Sequence, residues 1–210
     1  MSGREAGAVP GPRREGHYVA TSLSNNVQVG YDSFAVREAA GGLVVESRHV
    51  SFGGGVPPQA ARFTLDADWT PRQLEITAEG VMTADIDFGE AECAITVRGP
   101  RGEQQVRFPV GRARAYFLMS GGLYFPLHIV RRFRFGDPAP QLFDLLPPGV
   151  CEVRRVEDVV EDGEALRQLE MRFQIDGLED FARLVISRQG DLVRYRTRNQ
   201  NLLVKLEERG

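Results

Sequence analysis

The chain has 210 residues, enough for one large β domain or two small ones, and enough to bury a sizeable core. Its 26 Lys and Arg residues and 29 Asp and Glu residues give a net charge of −3, so the overall charge indicates neither nucleic acid nor an anionic membrane as a partner. No run approaches the length of a membrane-spanning helix, so we expect no transmembrane segment.

The first 15 residues are rich in Gly, Pro and Arg and contain no apolar stretch typical of a signal peptide. We therefore expect residues 1–15 to be a disordered tail, residues 16–210 to form a single antiparallel β domain, and the protein to be cytoplasmic. Cys93 and Cys151 are far apart and outside any Cys-x-x-Cys pair, so two buried free thiols are expected rather than a disulfide.

The first half of the chain alternates between apolar and polar residues, which is typical of strands with one buried face. Asn25 and Asn26 predict a tight turn, Gly30 predicts a bulge or a close backbone approach, and Trp69-Thr70-Pro71 predicts a corner. The predicted strands of this half are 17–24, 27–38, 43–51, 61–68, 73–79, 81–88, 92–98 and 103–108.

The centre of the chain breaks this rhythm. Residues 113–119 are apolar without clear alternation, which predicts a short helix ended by the glycines at 121 and 122. The Pro/Gly-rich stretch 111–140 is where two halves of similar build would meet. Beyond it, the alternating pattern resumes and predicts strands at 141–146, 151–160, 166–175, 181–187, 192–198 and 202–207.

About fourteen alternating strands joined by short turns cannot remain a flat sheet, because a flat sheet would expose a very large apolar face. The stable outcomes are a closed barrel, a half-barrel wrapped on a short helix, or a sandwich. The single helical candidate favours the half-barrel. The predicted fold class is therefore all-β with one short central helix, built as a long antiparallel meander.

Four segments carry a resemblance to a known group: HYVATSLSNNVQVGYDSFAVRE (17–38), ADWTPRQLEITAEG (67–80), LYFPLHIVRRF (123–133) and RLVISRQGDLVRYRT (183–197). In their order and strand–turn character they resemble the half-barrel proteins related to bacterial lipoprotein carriers and to glycolipid-binding proteins. The resemblance spans most of the chain. It implies a curled sheet whose concave face holds a lipid-like molecule.

The segment 124–135 carries the densest chemistry. If it is a strand, Tyr124, His128 and Arg132 share one face, with about 13 Å from each residue to the next. His128 would then be able to move a proton and Arg132 to hold a carboxylate or phosphate. The alternative is a solvent-exposed outer face with no chemical role.

Other polar residues have simpler interpretations. His17 and His49 are expected at the surface, and the three scattered histidines do not have zinc-ligand spacing, so neither a metal nor a cofactor is expected. The remaining charged residues stand at alternate strand positions, and we expect them to lie on solvated strand faces or to form cross-strand ion pairs. They are Asp66, Asp68, Asp85, Asp87, Arg194, Arg196 and Arg198.

Three functional hypotheses follow. The first is a binder of a hydrophobic small molecule, such as a lipid or glycolipid, in the concave face of the sheet; its candidate contacts are Trp69, Met82, Phe117, Tyr124, Phe133 and Met171. The second is a cyclase, isomerase or lyase acting on an apolar substrate in the same cavity, with Tyr124 or His128 as acid or base and Arg132 as anion holder. The third is an interaction protein that forms a homodimer through exposed strand edges.

Overall fold

The computed structural model describes residues 14–53, 57–109, 115–117, 142–145, 148–175, 178–188, 192–197 and 202–207. They form fifteen strands. The first eight are β1 (Arg14–Ser22), β2 (Gln28–Ala39), β3 (Gly42–Ser51), β4 (Gln59–Asp66), β5 (Pro71–Ala78), β6 (Met82–Phe88), β7 (Glu92–Gly99) and β8 (Gly102–Pro109). The others are β9 (Ala115–Phe117), β10 (Leu142–Leu145), β11 (Pro148–Glu161), β12 (Glu164–Ile175), β13 (Leu178–Ile186), β14 (Leu192–Thr197) and β15 (Leu202–Glu207).

All fifteen strands belong to one sheet, in the order β8-β7-β6-β5-β4-β3-β2-β1-β15-β14-β13-β12-β11-β10-β9. Neighbouring strands are antiparallel except β9 and β10, which are parallel. The first and last strands therefore lie side by side in the middle of the sheet, with His17 opposite Glu207. The sheet edges, β8 and β9, are separated by only six residue steps from Pro109 to Ala115, so these two Cα atoms lie within about 22 Å of each other. The sheet must curl to bring its edges this close.

The prediction of an antiparallel all-β fold is confirmed, and most predicted strands lie within a few residues of the observed ones. β1 begins at Arg14, inside the segment expected to be a tail. Asn26 has a φ of 56° in the first turn, a conformation that asparagine tolerates better than most residues. Gly30 lies beside a shift in the β1–β2 register, and a Cβ there would be 2.6 Å from the Val50 carbonyl oxygen. The predicted close approach at Gly30 is thus confirmed.

The central helix is the main difference. Within the predicted helix 113–119, the structure describes Ala115–Phe117, and these residues form strand β9. They pair with Leu142–Asp144 of β10. Aromatic residues favour strands when a neighbouring strand offers backbone partners, and here that pairing overrides the weak local pattern. The helix prediction is wrong for these three residues.

The core is formed by the face of the sheet that alternation assigns to apolar residues. Its members come from strands on both sides of the β1–β15 pair, for example Phe63 of β4 and Leu169 of β12, which are both fully buried. Two aromatic pairs lie in it: Tyr18 stacks on Phe34 with ring centroids 5.4 Å apart, and Phe63 meets Phe88 at 5.9 Å. The described core-facing side chains thus pack against one another.

Ion pairs join neighbouring strands, as expected for solvated strand faces: Arg72 contacts Asp66 at 2.7 Å, Arg98 contacts Asp85, and Arg107 contacts Glu92 at 3.2 Å. Arg194 of β14 contacts Glu161 at the end of β11 at 2.7 Å, although two strands lie between β14 and β11 in the sheet. Cys93 is a buried free thiol, as predicted. No helix within the described ranges is long and apolar enough to cross a membrane.

Candidate functional site

The structure places the predicted ligand contacts apart from one another. Trp69 lies in the turn before β5, half-buried with a φ of 69°, and Met82 begins β6 directly opposite the last residue of β5. The two side chains thus lie at opposite ends of β5. Both pack against the core, whereas Met171 of β12 is a fully buried core residue. Their role as ligand contacts stays a prediction.

Tyr124, His128, Arg132 and Phe133 lie outside the described residues, and Phe117 is described by its backbone alone, as part of β9. The proposed acid–base and anion-binding roles of Tyr124, His128 and Arg132 therefore also stay predictions.

A groove with a volume of about 910 Å³ lies across β15, β1, β2 and β3, where the first and last described strands pair. Most of its lining residues alternate with core residues along their strands, so the groove lies mainly on the face opposite the core. The lining residues are Glu15, Gly16, His17, Val19, Gln28, Tyr31, Ser33, Phe34, Ala35, Glu46, Ser47, Arg48 and Glu207.

The strand register organises these side chains into rows. One row runs across four strands and contains Glu207, His17, Ser33 and Arg48, each directly opposite the next. We call it the polar row. Within it, His17 Nε2 lies 3.0 Å from Glu207 Oε2, with 22% of the His17 side chain exposed. Directly opposite side chains in an antiparallel pair lie close enough to hold one ligand group together.

Arg48 is the guanidinium of this row. It is exposed, and no carboxylate of the described residues forms an ion pair with it. The neighbouring Glu46 instead contacts Arg37 at 3.5 Å. The Arg48 guanidinium, with its five N–H donors, is therefore available to a ligand in the groove.

An apolar row lies next to the polar row. Val19 is opposite Tyr31, and each is two residues along its strand from a member of the polar row. That spacing corresponds to about 7 Å. The Tyr31 ring contacts Phe52 at a centroid distance of 5.9 Å, and Phe52 is 46% exposed. One end of the groove therefore offers aromatic surface while its middle offers charged and hydroxyl groups.

The core side of the same strands carries a second polar feature. Tyr18, Asp32, His49 and Gln59 lie opposite one another across β1 to β4. Tyr18 and Asp32 are fully buried. Burial lowers the pKa of His49 below its usual 6.5, so the imidazole is neutral near pH 7. His49, expected at the surface, is thus half-buried on the core side.

His49 Nδ1 and Ser47 Oγ are each buried without a hydrogen-bond partner in the described part of the chain. Burial removes the hydrogen bonds that such atoms make to water, and without a replacement partner this lowers the stability of the folded protein. Strands β1 to β3 therefore carry polar groups on both faces, which distinguishes them from the apolar-in, polar-out strands β5 and β6.

Sequence reasoning missed both features for different reasons. The polar row depends on the pairing of β1 with β15, and its members His17 and Glu207 are 190 residues apart. The buried row had a local signal: Asp32 is in phase with Phe34 and Val36 along β2, at a position where alternation requires an apolar residue. A carboxylate at such a position marks an internal polar site.

The described residues contain no group of three or more His, Cys, Asp or Glu side chains that could hold a metal ion. In comparisons with known proteins, no family model matches the chain, and no curated protein matches it. Among solved structures, it is similar to a β-barrel-like protein of domain of unknown function DUF1849 from Brucella abortus, with a TM-score of 0.53 and 13% identity. The match covers 94% of this chain and 98% of that one. It shows a shared β-barrel-like fold.

Proposed function

We propose that this protein is a non-catalytic binder of a lipid-like molecule with an uncharged, sugar-like head group, held in the groove across β15, β1, β2 and β3. The observation that carries the proposal is the juxtaposition of the apolar row and the polar row within one groove. Its volume of about 910 Å³ lies in the range of small-molecule sites.

The head group is inferred from the charges. Glu15 and Arg48 offer one acceptor carboxylate and one donor guanidinium, while Glu207 is already engaged with His17 and Glu46 with Arg37. A carboxylate acceptor and a guanidinium donor in the same groove match the hydroxyl groups of a sugar, each of which donates one hydrogen bond and accepts others. A strongly anionic head group fits less well, because three carboxylates line the groove.

The apolar tail is inferred from Val19 and Tyr31, which line the groove, and from Phe52, which lies beside the Tyr31 ring next to the groove. Phe52 exposes 46% of its surface beside the Tyr31 ring, and covering such surface is favourable by about 25 cal/mol per Å². The sequence had suggested the concave face for this ligand. The groove is the better candidate, because the described core-facing side chains already pack against one another.

The proposal is tested by isothermal titration calorimetry with dodecyl maltoside, kept below its critical micelle concentration. We expect wild-type protein to bind it, and Arg48→Ala and Tyr31→Ala each to weaken binding about tenfold, since a lost hydrogen bond to a charged group or a lost aromatic contact is worth about 1.4 kcal/mol. Arg62→Ala is the matched control, because Arg62 is an exposed arginine on the adjacent strand β4 that does not line the groove.

Absence of binding to the wild-type protein refutes the proposal, and equal binding by all three variants moves the site elsewhere. The alternative of a cyclase, isomerase or lyase rests on Tyr124, His128 and Arg132, and it stays a prediction from the sequence.

A further inference from the structure

Strand β8 forms one edge of the sheet. It pairs with β7 along its whole length, from Gly99 opposite Gly102 to Glu92 opposite Pro109. Among the described strands it has no second neighbour. In an antiparallel pair every second residue directs its backbone N–H and C=O away from the partner, so β8 presents a row of these groups at the edge.

The side chains on both faces of β8 are exposed to solvent as well. Residues 102–107 are all exposed, and Val106 has 51% of its surface accessible although it lies opposite the buried Ile95. The apolar face of the sheet thus continues onto the edge strand without cover. An eight-residue edge strand of this kind is long enough to pair with another strand.

The charges of β8 are arranged so that the strand is complementary to itself. In an antiparallel pair of two copies centred on Gln105, Glu103 of one copy lies opposite Arg107 of the other, and the reverse pair follows by symmetry. Gln105 lies opposite Gln105, and Gln104 lies opposite Val106. The side chains of Glu103, Gln105 and Arg107 share one face of the strand, so all three pairs form on the same side.

The ion pairs within each chain extend this arrangement. Arg98 Nε lies 2.8 Å from Glu103 Oε2, and Arg107 Nη1 lies 3.2 Å from Glu92 Oε1. In the two-copy pair, charges of alternating sign would therefore run from Arg98 and Glu103 of one copy to Arg107 and Glu92 of the other. No like charges meet among these described residues in this register.

We propose that the protein forms a two-fold symmetric dimer through antiparallel pairing of β8 with β8 of a second copy. The pairing joins the two curled sheets into one, satisfies the backbone groups of the edge and covers Val106. The proposal is independent of the ligand proposed for the groove, which lies across β15, β1, β2 and β3.

The test is sedimentation equilibrium of the full chain over a range of concentrations. We expect a monomer–dimer equilibrium for the wild type. Glu103→Arg and Arg107→Glu each place like charges opposite one another at both ends of the strand pair, and each should weaken association at least about tenfold. Glu79→Arg is the control, because it makes the same charge change at an exposed turn away from β8.

Mixing the two single variants separates the proposed contact from any effect within one chain. In the mixed dimer, the arginine introduced at position 103 of one copy faces the glutamate introduced at position 107 of the other, and the native Arg107 faces the native Glu103. Association should therefore return toward the wild-type value. The double variant Glu103→Arg/Arg107→Glu should also associate, because it is again complementary to itself. A monomeric wild type at every concentration overturns the proposal, as does a dimer that the single variants leave unchanged or that mixing fails to restore.

Discussion

Replacing Phe63 by alanine tests whether the inner face of the sheet is a packed core or a ligand cavity. Phe63 is fully buried in β4, and the centroid of its ring lies 5.9 Å from that of the Phe88 ring. Loss of the buried phenyl ring costs about 2–3 kcal/mol in transfer free energy. A remaining void of up to about 100 Å³ adds about 2 kcal/mol at 24 cal/mol per Å³. We therefore expect Phe63→Ala to lower the free energy of unfolding by about 4 kcal/mol.

The assay is urea denaturation followed by the fluorescence of Trp69, the single tryptophan of the chain, which is half-buried against the core. Val160→Ala is the control, because Val160 is 75% exposed and its truncation should change stability by less than about 0.5 kcal/mol. If Phe63→Ala leaves too little folded protein to measure, Phe63→Leu should still cost about 1 kcal/mol. A cost below about 1 kcal/mol for Phe63→Ala would refute the reasoning, since it would mean that the ring lines an adaptable or empty space.

Three further predictions follow from individual residues. Burial lowers the pKa of His49, so between that lowered pKa and 6.5 the unfolded chain binds more protons than the folded one. The free energy of unfolding should therefore fall as the pH drops below 6.5. It should fall less in His49→Gln, and urea denaturation at each pH measures both trends. Burial, with a smaller contribution from the Asp87 charge, raises the pKa of the Cys93 thiol to about 12. Cys93 should therefore resist a disulfide-exchange reagent at pH ~8 until urea unfolds the protein. Rapid modification of Cys93 in the folded protein would contradict this. Gly30→Ala places a Cβ 2.6 Å from the Val50 carbonyl oxygen and should cost about 1–3 kcal/mol in thermal or urea unfolding, whereas an unchanged stability would show that β3 can yield there.

The strands could be predicted because each is determined by its own sequence. Along β5, for example, Leu74, Ile76 and Ala78 alternate with polar residues, and the structure buries all three. The turn at Asn26 and the close approach at Gly30 could also be predicted, because both depend on the special backbone properties of one residue.

The order of the strands and the groove could not be predicted in this way. Nothing local in β1 specifies β15 as its neighbour, because strand pairing depends on backbone hydrogen bonds that nearly all sequences can form. The polar row exists only after that pairing, since it takes Glu207 from the last strand and His17 from the first. Strand β9 was missed for a related reason: its partner Leu142–Asp144 lies outside its local sequence.

The side-by-side position of the first and last strands makes this fold a circularly permuted meander. Read from β9 through β15 and then from β1 through β8, every strand pairs with the next one, and only the β1–β15 contact joins residues from opposite ends of the chain. Closing that contact requires the largest loss of chain entropy in the fold, so it should form after the two local arms. A protein with a short linker from Glu207 to Arg14 and new termini between Pro109 and Ala115 would turn this contact into a hairpin. It should keep the same sheet and fold faster. The groove would then form early in folding, because its β15–β1 contact would be a local hairpin.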